Sequence, residues 1–235
     1  MMKKVVIHPD YAFCADFINR IPEIFHSEGE TIFKARNELK IFTCQGLELV
    51  VKSFKTPHII NQFVYTTVRT SKAERAYKHA LILIDKEILT PTPVAFIEIK
   101  KAGLLFDSYF ISIKSRFHRE IREISDTPGL PEAYPVLADF ARFTAGLHQK
   151  GIFHKDYSPG NILFGKTGDR YAFELVDLNR MKFCTINLKD ACKNLRRLCF
   201  SDEQYRFFAG KYAAARNVDV KTCESLILKY RKPLE

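Results

Sequence analysis

The 235-residue sequence lacks the patterns that would identify a membrane-spanning, zinc-binding or secreted protein. No run of about 18 consecutive apolar residues occurs, so we expect no membrane-spanning helix. The six cysteines include no Cys-x-x-Cys pair and no accompanying histidine cluster, which argues against a zinc site and fits a reducing cytoplasm. The first apolar run is cut short at His8, Pro9 and Asp10, so we expect no signal peptide.

Internal repeats and low-complexity linkers are absent as well, while hydrophobic residues make up 46% of the sequence. That content is enough for a sizeable core in one domain or in two small lobes. The net charge is +10 and the pI is near 9.3, which suggests an anionic partner such as a nucleotide, a nucleic acid, a phosphorylated glycan or an acidic membrane surface. A basic surface without any such partner has the same composition, so charge alone does not choose between these.

Two nearby acidic motifs carry the strongest functional signal. Asp156 belongs to a His-x-Asp sequence, Asn161 follows five positions later, and Asp177 comes after a further apolar run. Residues 162–164 and 172–176 read as two short strands of a hairpin, which would carry Asn161 and Asp177 to the same end of a sheet. This constellation is typical of kinase-like phosphoryl transfer. Asp156 would act on the acceptor hydroxyl, while the oxygens of Asn161 and Asp177 would suit Mg²⁺.

A lysine and a glutamate upstream complete the order of such a site. Lys52 lies in the third of three predicted strands, and Glu74 lies near the start of a predicted helix over residues 71–86. Glu74 has two interpretations. With Ser71 it resembles a capping box, or it pairs with Lys52 and holds that lysine over nucleotide phosphates. We favour the pair, because the order strand lysine, helix glutamate, His-x-Asp is complete. The predicted strands before the helix are residues 31–35, 39–43 and 47–54, and those after it are 94–100 and 105–113.

The remainder of the chain is predicted to be mainly helical. Residues 116–124 are strongly charged and fit a helix, and a long helix over residues 134–150 ends at Gly151, where a positive φ is wanted. Helices are also predicted over 188–200 and 202–215, with a shorter one near the C-terminus. The first of these places Arg196 and Arg197 on a basic face. We expect a boundary between residues 1–114 and 115–235, with a hinge at 112–115 whose backbone could hydrogen-bond an adenine ring.

The order of these elements resembles the eukaryotic-protein-kinase-like superfamily, and most of all the bacterial lipopolysaccharide kinase family, the Kdo- and heptose-kinase group. The resemblance is carried by residues 49–54, 71–77 with 90–93, 154–164 and 176–180. It implies an α+β, two-lobed protein-kinase-like fold. The N-lobe over residues 1–114 would be a five-stranded antiparallel sheet with one helix, and the C-lobe over residues 115–235 would be short and mainly helical.

The resemblance also implies an activity and its residues. The protein would be an ATP-dependent, Mg²⁺-requiring kinase acting on a sugar hydroxyl of the lipopolysaccharide core or a similar glycolipid. Lys52 would bind the nucleotide phosphates, Glu74 would orient Lys52, and Asp156 would be the catalytic base, with His154 as a support for its loop. Asn161 and Asp177 would bind the metal and, through it, the nucleotide. The expected partner is a glycolipid or sugar acceptor and not a nucleic acid. The family acts at the cytoplasmic face of the inner membrane, so a peripheral contact of this protein with that membrane is compatible with the resemblance.

The sequence departs from the pattern of protein kinases at several places. The first hairpin, around residues 35–38, has no G-x-G-x-x-G, Ser158 stands where protein kinases usually have Lys, and the Asp-Phe-Gly element is Asp177-Leu178-Asn179. No Ala-Pro-Glu follows, so a peptide-docking platform is not expected. Two alternatives stay open: a soluble small-molecule kinase of the aminoglycoside or choline phosphotransferase type, and a non-catalytic pseudokinase.

Overall fold

The computed structural model describes residues 1–54, 70–127 and 129–231, and the chain divides into two compact units. The first unit comprises Met1–Asp85 and Thr90–Ser115, and the second comprises Lys86–Leu89 and Arg116–Glu235. An antiparallel sheet dominates the first unit and helices dominate the second, so the expected α+β class is confirmed. Within the described ranges, none of the helices combines the length and the apolarity that a membrane crossing requires.

The sheet of the first unit has six strands, where five were expected. The strands are β1 (Met2–Ile7), β2 (Glu30–Lys34), β3 (Asn37–Cys44), β4 (Leu47–Phe54), β5 (Pro93–Lys101) and β6 (Leu104–Ile113). Their order in the sheet is β1-β5-β6-β4-β3-β2. The additional strand is β1, which pairs antiparallel with β5 from Met2 opposite Lys100 to Ile7 opposite Ala95. Alternating Val5 and Ile7 face the core, which is the strand signal that the sequence carried there.

Two helices accompany this sheet among the described residues, where one was expected. The unexpected one is α1 (Ala15–Ile24), which follows a 3₁₀ turn at Pro9–Cys14. It buries Ile18, Ile21 and Ile24 at helical spacing, and these side chains join the main core of the unit. The predicted helix is α2 (Lys72–Asp85), which packs Ala73, Tyr77 and neighbouring apolar residues against Phe54 and Phe96 in a second cluster.

The second unit is built around one long buried helix. This helix is α4 (Ala133–Gln149), and its Phe140 side chain is fully buried and in ring contact with Tyr157, Phe173 and Phe208. The other helices are α3 (Arg122–Asp126), α5 (Leu188–Asn194), α6 (Asp202–Arg216) and α7 (Val220–Tyr230). Two small sheets flank α4, one of β7 (Arg119–Glu120), β9 (Ile162–Thr167) and β10 (Arg170–Leu175), the other of β8 (Ile152–His154) and β11 (Met181–Phe183).

The prediction of a helix over residues 116–124 is wrong for most of that range. Arg119 and Glu120 form β7, which pairs with Phe164 and Leu163 of β9, and only residues from Arg122 onward are helical. Charged side chains suit an edge strand as well as a helix, and the partner strand lies more than 40 residues away in the sequence. The pairing therefore had no local signal.

Candidate functional site

His154 ties the two acidic motifs together in the second unit. It ends β8, is buried, and its Nδ1 accepts a hydrogen bond from the Asp156 N–H at 3.1 Å. Its Nε2–H donates to the Val176 carbonyl at 3.1 Å. Burial lowers the pKa of His154, against the opposing effect of the bond to Val176 and the charges of Asp177 and Asp156. Only the neutral ring can both accept and donate in this way, so His154 is a fixed neutral bridge.

Asn161 closes the loop that follows Asp156. Its side-chain NH₂ donates to the Asp156 carbonyl at 2.9 Å and to the Ser158 hydroxyl at 3.1 Å. The backbone carbonyl of Asn161 accepts a hydrogen bond from the Val176 N–H at 3.0 Å. Both protons of the amide therefore point into the loop, and the amide oxygen points away from it. The β9–β10 hairpin, with Leu175 opposite Ile162, sets Asn161 and Asp177 at the same end as expected.

Asp177 has an unusual backbone conformation. Its φ is 57° and its ψ is 49°, in the left-handed region, and it precedes a 3₁₀ turn at Leu178–Arg180. The side-chain NH₂ of Asn179 donates to the Asp177 carboxylate at 2.6 Å. Asn179 stands where protein kinases have the glycine of Asp-Phe-Gly, and asparagine is a residue that tolerates a positive φ. The structure places the left-handed residue at Asp177 instead, and Asn179 orients its carboxylate.

Two arginines that the sequence did not assign to the site contact Asp156. Arg197 forms an ion pair with Oδ1 of Asp156, and Nη1 of Arg180 lies 3.8 Å from Oδ2. The Asp156 side chain is 20% exposed, so it still reaches solvent between them. Arg197 had been predicted only as part of a basic helix face. Arg180 lies three positions after Asp177, and that closeness in sequence was the available signal.

Lys52 and Glu74 belong to the first unit. Lys52 is half-buried in β4 between Leu39 of β3 and Phe110 of β6, with its Nζ 5.4 Å from the centre of the Phe54 ring. It thus lies in the strand that the sequence predicted. The approach of Lys52 to Glu74 stays a prediction.

Glu74 is a buried carboxylate on α2 with two cationic partners. Its oxygens lie 3.3 Å from Nζ of Lys4, on β1, and 2.7 Å from Nζ of Lys78. Burial raises its pKa, but the hydrogen bonds and charges of Lys78 and Lys4 outweigh this and leave the pKa below its ordinary value. The Ser71 hydroxyl accepts the Glu74 N–H at 3.0 Å, so Ser71 caps the helix while the Glu74 carboxylate forms ion pairs.

The oxygen donors near Asp156 fit a hard cation. The amide oxygen of Asn161 and the carboxylate of Asp177 are the ligand types that Mg²⁺ uses, usually one or two protein groups with waters and phosphates completing the shell. Among the described residues, no three His, Cys, Asp or Glu side chains form a metal-binding group. A site of two protein ligands is what the donor set offers.

A buried network holds the His154 segment against α4. His148 of α4 bonds through Nε2 to the Asn194 side-chain oxygen at 3.2 Å and through Nδ1 to the Tyr212 hydroxyl at 2.6 Å. The NH₂ group of Asn194 donates to the His154 carbonyl at 2.9 Å, and Arg216 donates to the Tyr212 oxygen at 3.1 Å. Asn194 can only accept from His148 here, so Nε2 carries the proton and Nδ1 accepts from Tyr212.

Comparisons with known proteins identify the family and the fold of the chain. A family model described as "Lipopolysaccharide kinase (Kdo/WaaP) family" matches residues 29–214. A solved structure described as "WaaP in complex with acyl carrier protein" is similar to this chain with a TM-score of 0.65 at 15% sequence identity. That match covers 96% of this chain and 97% of the other, and it shows that the two share a fold. No curated protein sequence matches the chain.

Proposed function

The chain belongs to the lipopolysaccharide kinase (Kdo/WaaP) family, and we propose that it uses ATP to phosphorylate a sugar hydroxyl of the lipopolysaccharide core or a similar glycolipid. The observation that carries the proposal is the set of hydrogen bonds around the neutral ring of His154, which joins Asp156, its loop partner Asn161 and the strand end that precedes Asp177. Phosphoryl transfer depends mainly on such positioning and on stabilised charge.

Each residue has a separate task in this proposal. Asp156 accepts the proton of the acceptor hydroxyl as the bond from its oxygen to the γ-phosphorus of ATP forms and the bond from that phosphorus to the leaving ADP oxygen breaks. Arg180 and Arg197 fix the carboxylate of Asp156. Asn161 and Asp177 would hold Mg²⁺, which supplies charge neutralisation to the nucleotide phosphates when bound. In the first unit, Lys52 binds those phosphates and Glu74 orients Lys52.

The proposed site of action is the cytoplasmic face of the inner membrane, where the glycolipid acceptor would be reached by peripheral contact. The net charge of +10 supports attraction to anionic glycolipids and lipid headgroups. WaaP is described in complex with acyl carrier protein, which makes an acyl carrier protein a partner to test by co-purification.

The decisive experiment offers the purified protein labelled ATP and Mg²⁺ with a cell-envelope glycolipid extract. Parallel reactions contain water-soluble acceptors, namely choline and an aminoglycoside, and the Asp156→Asn variant serves as the inactive control. We expect one additional phosphate on a glycolipid by mass spectrometry, dependent on Asp156. Label transfer only to a soluble acceptor would replace the proposal with the small-molecule kinase alternative. Nucleotide binding without any transfer would support the pseudokinase.

A further inference from the structure

A cavity of about 320 Å³ opens beside the Asp156 loop, within the second unit. Asn194, which is buried and donates to the His154 carbonyl, forms part of its wall. Four cations and one carboxylate line it, an excess of three positive charges, together with one aromatic ring. These residues are Lys155, Lys193, Arg196, Arg197, Asp190 and Phe153.

Most of these cations have no carboxylate partner within the part of the chain that the structure describes. Among the described residues, no carboxylate forms an ion pair with Lys155, Lys193 or Arg196, whereas ion pairs are common elsewhere on the surface. The one acidic residue, Asp190, is engaged by Asn187, whose amide donates to its carboxylate at 3.0 Å. Concentrated positive charge in a concave site attracts an anion, and guanidinium groups match phosphate oxygens in geometry.

Arg197 connects this cavity to the reacting groups. It lines the cavity and also forms the ion pair with Oδ1 of Asp156. An anion in the cavity would therefore lie one guanidinium group away from the proposed catalytic base. Phe153, a half-buried lining residue, offers an apolar face of the kind that packs against the C–H groups of a sugar ring.

We propose that this cavity is an acceptor subsite that binds a phosphate monoester already present on the glycolipid, and so directs a neighbouring hydroxyl to Asp156. The inference rests on the proposed function. A phosphate monoester is favoured over a carboxylate because its nearly two negative charges match the excess of two positive charges that remains in the cavity lining once Arg197 is paired with Asp156. Under this reading the enzyme acts after another reaction has phosphorylated the same glycolipid.

The test compares two double variants that remove the same charge. Lys193→Gln with Arg196→Gln changes the cavity, while Lys166→Gln with Lys189→Gln changes exposed lysines that do not line it. Each protein is assayed in detergent micelles with intact and with phosphatase-treated glycolipid. We expect the cavity variant to raise KM for the intact acceptor about tenfold or more, with kcat and the KM for ATP near wild type. On the phosphatase-treated acceptor, the cavity variant and the wild type should be equal.

Three results would overturn the proposal. The first is an equal rise in the cavity variant's KM for the intact and for the phosphatase-treated acceptor. The second is a rise in its KM for ATP, which would assign the cavity to the nucleotide. The third is a control variant whose KM for the intact acceptor rises as much as that of the cavity variant. Calorimetric titration with inorganic phosphate at constant ionic strength gives a readout that needs no turnover. The cavity variant should bind phosphate about tenfold more weakly than wild type and control. If wild type transfers no phosphate to glycolipid, the proposed function fails while this titration still decides the cavity.

Discussion

The protonation of His148 should make the stability of the second unit strongly pH-dependent. Burial lowers the pKa of His148 from 6.5 to about 4, with a smaller lowering by Arg216 and an opposing effect of the Asn194 bond. A neutral ring is also the only form that can accept from Tyr212 while it donates to Asn194. The folded state therefore holds the ring neutral at pH values where the unfolded chain binds a proton.

The direction and the magnitude of the pH effect on the free energy of unfolding follow from the linkage between proton binding and folding. Because the folded-state pKa is depressed, the stabilisation is complete above the ordinary pKa and is lost as pH falls toward the folded-state value. The full shift, from 6.5 to about 4, corresponds to about 3 kcal/mol. When the pH is lowered from about 7.5 to about 5, protonation of His148 in the unfolded chain should lower the free energy of unfolding by about 2 kcal/mol.

Urea unfolding of wild type and of His148→Gln at these two pH values measures the effect. Glutamine keeps an amide donor and an acceptor but does not titrate, and the other histidines contribute equally to both proteins. Wild type should lose about 2 kcal/mol more than the variant on acidification. Equal losses in the two proteins would refute the assignment of a neutral, hydrogen-bonded His148.

Three further predictions concern the site and its supports. Asp177→Asn should weaken Mg²⁺-dependent ATP binding in calorimetry. Asp156→Asn should bind ATP as wild type does but turn over about 10²-fold or more slowly. A wild-type turnover rate in Asp156→Asn would contradict the catalytic role of its loop. Glu74→Ala should reduce both nucleotide affinity and turnover, and unchanged values would leave the glutamate with a role on its helix alone. Gly151→Ala should lower the free energy of unfolding by about 1–3 kcal/mol, because φ is +72° and the added Cβ would lie 2.9 Å from a backbone oxygen. Gly46→Ala, with φ of +81° and open space around the Cβ, is its control, and an equal loss in both would exclude the steric contribution.

Much of the fold could be predicted because its signals are local. The β9–β10 hairpin, α2 and α4 have hydrophobic patterns with the period of their own secondary structure, and Gly151 ends the long helix with a positive φ as expected. The motif spacing also predicted that Asn161 and Asp177 would lie at one end of a hairpin. The pairs that were missed, β1 with β5 and β7 with β9, depend on partners distant in sequence.

The residues of the site divide in the same way, into those with a local sequence signal and those placed by contacts between distant parts of the chain. Asp156, Asn161 and Asp177 follow from sequence spacing. The hydrogen bonds that join their segments, from His154 to Val176 and from Asn161 to Asp156, run over 22 residues at most. Arg197 reaches Asp156 from 41 residues away, and Lys4 reaches Glu74 from 70 residues away, so neither contact has a pattern that a single sequence displays. Tertiary packing decides which of many surface cations becomes a partner of a given carboxylate.

The edge position of β1 has a practical consequence for producing this protein. The strand covers one side of β5, whose residues from Pro93 to Ile99 are all buried, and it also carries Lys4. A shortened protein without residues 1–7 would expose β5 as a long, apolar sheet edge, which is a template for intermolecular pairing. Aggregation of such a truncation would follow from the uncovered edge itself.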